Sequence, residues 1–169
     1  KSQMLVASYN GKVVRFPEDT VRPMGRTATG VRAIKLDEDG RDRVVGMICV
    51  EEGSKDTVLV ISDKGYGKRT LLDDENGEPI YRITNRGGKG VKTMNLTDKT
   101  GNLIGMEAVN DDQDLMLITK SGTAIRMDMS SISVLGRATQ GVKLIELQKR
   151  NDPLMFGCVV PKEETEEAT

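Results

Sequence analysis

Short apolar runs separated by turn residues recur along this chain, and none of them sustains a helical period. Met4-Leu5-Val6-Ala7-Ser8 is followed by Asn10-Gly11 and then by Val13-Val14-Arg15-Phe16. Asn-Gly between two apolar runs is a strong hairpin signal. The plan returns at Thr57 to Ile61, Lys64-Gly65 and Tyr66 to Leu72, and again at Leu115 to Thr119, Ser121-Gly122 and Ala124 to Met127. Each hairpin leads through a connection to a third strand, expected at Val31 to Leu36, Val91 to Leu96 and Val142 to Leu147. A fourth is expected at Val44 to Val50, Leu103 to Val109 and Met155 to Val160. Pro17, Pro23 and Pro79 exclude a regular helix from the first two connections. The third strands do not alternate cleanly, which fits strands sandwiched between neighbouring sheets and apolar on both sides.

The register between units is tight. From the hairpin glycine to the glycine before strand three is 19, 25 and 19 residues, and from there to the strand-four glycine 16, 15 and 16. Four short strands per unit, repeated, predict an all-β fold of propeller-like blades. The expected units are 1–52, 53–111 and 112–161, followed by a Glu-rich tail at 162–169 that has nothing to bury and is expected to be disordered.

Charge changes the picture once it is read by position. The chain of 169 residues holds 25 basic and 26 acidic residues. Four of the acids lie in the tail, so the body is mildly basic. Aligning the units gives three basic columns: Arg15, Arg69 and Arg126; Arg26, Arg86 and Arg137; Arg32, Lys92 and Lys143. Lys68 and Lys89 lie beside them. Evenly repeated cations suit a phosphate backbone. Aromatic residues are only 3% of the chain, and single-strand binders need stacking platforms, so the expected partner is duplex DNA bound by charge and bend. There is no histidine, the usual general base, and no acid/base pair or nucleophile stands out. Gly65-Tyr66-Gly67-Lys68-Arg69-Thr70 lacks the first glycine and the Ser/Thr of a P-loop, and Asp37-Glu38-Asp39-Gly40 lacks calcium-loop spacing. Cys49 and Cys158 sit in apolar runs and are expected as buried free thiols. No apolar run approaches membrane-spanning length. The lysine at position 1 points to a piece of a longer protein.

Three motifs in order, Lys64-Gly65-Tyr66-Gly67-Lys68-Arg69-Thr70, Arg86-Gly87-Gly88-Lys89-Gly90 and Gly136-Arg137-Ala138-Thr139-Gln140-Gly141-Val142, together resemble the C-terminal domain of bacterial DNA gyrase A. The resemblance implies a β-pinwheel, a propeller-like disc of six blades with DNA wrapped around its basic rim, of which this chain resembles the last three. It implies a bacterial, cytoplasmic, chromosome-associated protein. Its partners would be duplex DNA, the rest of gyrase A and gyrase B, in an enzyme that introduces negative supercoils using ATP. The catalytic tyrosine and ATP site of such an enzyme belong to other parts, so Tyr9, Tyr66 and Tyr81 are not assigned as nucleophiles. No catalytic residue, metal or cofactor is expected in this fragment. The family's signature box is Gln-Arg-Arg-Gly-Gly-Lys-Gly, and Asn85 to Gly90 matches only its second half, on a later blade. Topoisomerase IV has a related domain with more degenerate blades. A propeller module that binds a protein is the alternative from another class, and it predicts an exposed apolar patch.

Overall fold

The computed structural model describes residues 2–18, 34–84, 87–145 and 153–162. Among these residues are eleven strands: β1 (Ser2–Ser8), β2 (Lys12–Pro17), β3 (Val44–Glu51), β4 (Thr57–Ser62), β5 (Tyr66–Leu71), β6 (Val91–Lys92), β7 (Leu103–Val109), β8 (Gln113–Thr119), β9 (Ala124–Asp128), β10 (Val142–Lys143) and β11 (Leu154–Pro161). The three hairpins are built alike. Gly11, Gly65 and Gly122 hold φ of +88°, +91° and +94°, and their N–H groups donate to Ser8 O, Ser62 O and Thr119 O at 3.0–3.1 Å. The hydroxyls of those same residues accept the N–H of Lys12, Tyr66 and Thr123 at 3.1–3.2 Å. A hydroxyl three residues before the turn glycine therefore closes every hairpin.

The sheets are out of phase with the sequence repeats. Their strand orders are β3-β1-β2-β6, β10-β5-β4-β7 and β11-β8-β9. The outer strand of the first sheet comes from repeat two, and that of the second from repeat three. Lys12 and Val13 pair with Lys92 and Val91, and Gly67 and Tyr66 with Val142 and Lys143. The connection makes a parallel bridge first, Ile83 to Arg15 and Val134 to Arg69, then rounds a glycine-containing loop and returns as the short strand. The third sheet has three strands among the described residues.

The expected six-residue third strands shrink to two residues. Beyond Lys92 the backbone leaves the ladder: Thr93 N–H donates to the turn carbonyl of Gly11 (2.9 Å) and Asn95 N–H to Thr139 O (3.0 Å), while Met94 turns into the core. Ile34 to Leu36 are not strand, and positions 31–33 lie outside the described residues, as do 146–147 of the third expected strand and 163–169 of the tail.

Apolar alternation places the core between the sheets. In β4, Val58 and Val60 face the first sheet's Leu5 and Ala7, while Leu59 and Ile61 face Leu115 and Leu117 of the third. This central strand is covered on both sides, so its apolar run is continuous. The fourth strands lie at the side where sheets meet. An added Cβ at Gly46 of β3 would stand 2.9 Å from Met106 N of β7. The opposite edges, β6 and β10, carry the loops.

The cysteines correct the sequence reading: both are exposed. In β3 it is Ile48 and Val50 that face inward, which turns Met47 and Cys49 outward. Both thiols of the native protein should therefore react with a disulfide reagent such as DTNB at two equivalents per chain. Labelling that waits for denaturant would contradict this placement.

Candidate nucleic-acid interface

The loop edges collect exposed cations. Lys89, Lys92 and Lys143 are exposed and Arg137 is half-buried. Lys12 lies directly opposite Lys92 across β2 and β6, a like-charge pair that costs stability unless water, salt or an anion compensates it. The Arg137 guanidinium donates to Lys92 O at 2.6 Å, which brings a cation of repeat three against the edge of the first sheet. Successive loops are tied together at matching positions. Lys35 N–H donates to Gly88 O (2.7 Å), as Asn95 N–H does to Thr139 O. The loops thus follow one another along the edge instead of standing as separate patches. Lys143 and Lys99 place their ammonium groups 5.9 and 5.8 Å from the centre of the Tyr66 ring, within cation–π range. Arg26, Arg32 and Arg86 lie outside the described residues.

Besides Lys99, two cations in this region escaped the sequence reading. Arg82 is exposed and, with Thr84, Gly87, Gly88 and Lys89, lines a groove of about 440 Å³. Lys12 is the other. Lys12 belongs to no repeated column, since its position is Tyr66 in repeat two and Thr123 in repeat three, and Arg82 recurs only as Arg22 in repeat one, with Ser133 in repeat three.

Two of the three members of the first basic column, Arg15 and Arg69, are corrected. Arg15 and Arg69 are 3% and 5% exposed, out of reach of an external phosphate. The Arg15 Nε donates to Gln3 Oε1 (2.6 Å), and its Nη1 to Leu72 O (3.1 Å), Tyr81 O (3.1 Å) and Asp73 Oδ1 (3.0 Å). Arg69 repeats the scheme: Nε to Thr57 Oγ1 (2.8 Å), Nη1 to Asp111 Oδ1 (2.6 Å) and to Met129 O (3.3 Å). Each arginine fastens its hairpin to the next repeat. Arg126 donates to Asp114 Oδ2 (2.8 Å) and Pro161 O (2.7 Å) and keeps a third of its side chain exposed. A signal was present in the sequence: an acceptor, Gln3, Thr57 or Asp114, stands twelve residues before each arginine.

Lys68 is corrected too. It is 0% exposed, and its ammonium donates to Gly136 O (2.6 Å), Arg137 O (2.7 Å), Thr139 O (2.9 Å) and Thr139 Oγ1 (3.1 Å). Desolvation first, and the Arg137 charge second, bring its pKa down to about 8. Tyr81 is fully buried, its hydroxyl 2.7 Å from Thr93 Oγ1, and burial pushes its phenol up. Among the described residues no cluster of His, Cys, Asp or Glu could hold a metal ion, and no helix is long and apolar enough to cross a membrane.

The pattern of the family described as DNA gyrase C-terminal domain, beta-propeller, matches residues 3–51, 56–110 and 113–155. The chain belongs to the DNA gyrase C-terminal domain family. It is 43% identical over all 169 residues to the DNA gyrase A of Staphylococcus aureus strain NCTC 8325 / PS 47, and 46% identical over 147 residues, 87% of this chain, to that of strain MRSA252. It spans 18% and 16% of those relatives' lengths. Among solved structures, the C-terminal domain of DNA topoisomerase IV matches with a TM-score of 0.81 at 19% identity, covering 95% of this chain and 47% of that one. The E. coli ParC C-terminal domain matches with a TM-score of 0.65 at 17% identity, covering 95% and 63%. Those structures share the fold. In this gyrase-family propeller segment the blade edges carry the loops and their cations, and the blade interiors hold Arg15 and Arg69 of the first basic column.

Proposed function

We propose that this chain binds duplex DNA without reading its sequence, along the loop-bearing edges of its blades, as part of the C-terminal domain of a DNA gyrase A. The observation that carries this reading is the chained edge itself: Lys12, Lys92 and Arg137 converge where repeat three's loop meets the first sheet, with Lys89 and Arg82 on the adjoining loop and Lys143 on the second sheet. No acid among the described residues forms an ion pair with Lys12, Lys89, Lys92 or Arg137. Smooth bending of a duplex over such an edge costs roughly 1–6 kcal/mol per site, so several contacts must together offset it. In the parent protein the wrapped duplex would be presented to the DNA gate in a handed way. That would support negative supercoiling with ATP by an assembly of gyrase A and gyrase B in the bacterial cytoplasm. No cofactor enters this reading.

Duplex affinity measured against salt tests it. The slope of log K against log salt should be about −0.9 per phosphate contact, with about five or more contacts in total and no sequence preference. Lys89→Ala, Lys92→Ala and Arg137→Ala should each weaken binding for all sequences alike and lower the slope by about one. Binding that ignores salt would instead favour a protein-binding module, for which the exposed Val44 and Met47 of β3 are the apolar candidates.

A further inference from the structure

Lys68 is a buried cation without an acid. Its four oxygen partners are three carbonyls and a hydroxyl of residues 136–139, and the charge that bears on it, Arg137, is of the same sign. Burying a cation in this way costs stability that an apolar residue would not. The other repeats show the apolar solution: three residues after the hairpin glycine they carry Val14 and Ile125.

The contacts of Lys68 lead outward. Thr139 O, which accepts from the Lys68 ammonium, also accepts from Asn95 N–H of the preceding repeat. Arg137, whose carbonyl Lys68 holds, reaches over with its guanidinium to Lys92 O. One ammonium on β5 thereby fixes a turn that joins the edge of the second sheet to the edge of the first. We infer that Lys68 is a positioning residue: it holds the turn at 136–139 so that Arg137 and Lys92 present their charges to DNA phosphates as one site. The inference rests on the DNA-binding reading above, and it gives Lys68 a role through the loop instead of contact with the duplex.

A double-mutant cycle tests it on the whole chain with duplex DNA at low salt. Arg137→Ala should weaken binding roughly five- to tenfold in the wild type but less than about twofold in a Lys68→Val background, because the turn that presents Arg137 is already released. Lys68→Val alone should lose about as much as Arg137→Ala and lower the salt slope by about one. Additive losses would overturn the inference, since they would mean that Lys68 acts only as a remote charge. Should Lys68→Val not fold, Lys68→Met serves the same cycle; failure of both to fold would make Lys68 a folding residue and reject the positioning role. A wild type that does not bind DNA would sink the reading above, and amide exchange then decides this one separately. Asn95 N–H should exchange at least about tenfold faster in Lys68→Val while the amides of β4 keep their protection; unchanged exchange at Asn95 would reject it.

Discussion

Arg15→Ala is expected to destabilise the protein by about 3–5 kcal/mol while leaving the salt slope of DNA binding unchanged in the protein that remains folded. The loss has identifiable parts. Tyr81 O loses its charged donor inside the interface between repeats and Gln3 Oε1 loses its partner, and a buried acceptor left without a donor costs about 1–3 kcal/mol; Leu72 O loses the guanidinium but keeps Ile80 N–H. The carboxylate of Asp73 suffers less, because 29% of its side chain meets solvent. Urea unfolding gives the first number and the salt titration the second. Lys92→Ala should show the reverse, with stability within about 0.5 kcal/mol of wild type and a slope reduced by about one. If Arg15→Ala instead lowered the slope and left the midpoint in place, the column would be a phosphate contact after all, and the burial seen here would be wrong.

Gly90→Ala is expected to cost roughly 2–5 kcal/mol, combining the left-handed backbone penalty with overpacking. Gly90 has a φ of +79°, and a Cβ on it would lie 2.5 Å from Val13 O, an atom of the β2 backbone that cannot yield without breaking the strand. Gly141 repeats the arrangement at φ +83°, with Gly67 O at 2.8 Å from the added carbon. At both positions the outer strand docks on the preceding hairpin through a glycine pressed against its backbone. Gly77 supplies the control: it has the same φ of +79° with nothing within 4 Å of an added Cβ, so Gly77→Ala should cost only about 1–2 kcal/mol. Thermal melts of the two variants separate the steric part from the conformational part. Equal losses would show that the contact with β2 does not hold the outer strand.

The repeat, the hairpins and the all-β class were legible in the residues because they rest on local chemistry. A turn glycine needs positive φ wherever it occurs, and alternating apolar residues reveal a buried face without reference to what covers it. The residues Gly87 to Gly90 and Arg137 to Gly141 likewise marked the loops that carry the candidate interface, since glycine and cation side by side are visible one position at a time. What the sequence could not decide was which sheet a strand joins and which way a repeated arginine faces. Val91 and Lys92 belong to repeat two in the chain but pair with repeat one, and that exchange depends on contacts between segments about eighty residues apart. Arg15, Arg69 and Arg137 are the same residue in equally regular columns. Only packing tells them apart, because two guanidinium groups find carbonyls and carboxylates inside the interface between repeats and the third reaches a strand edge beside open lysines. Lys68 makes the same point with one atom: the ammonium that composition counts as surface charge is enclosed by four oxygens of the next repeat, where the tertiary fold supplies acceptors that no local pattern announces.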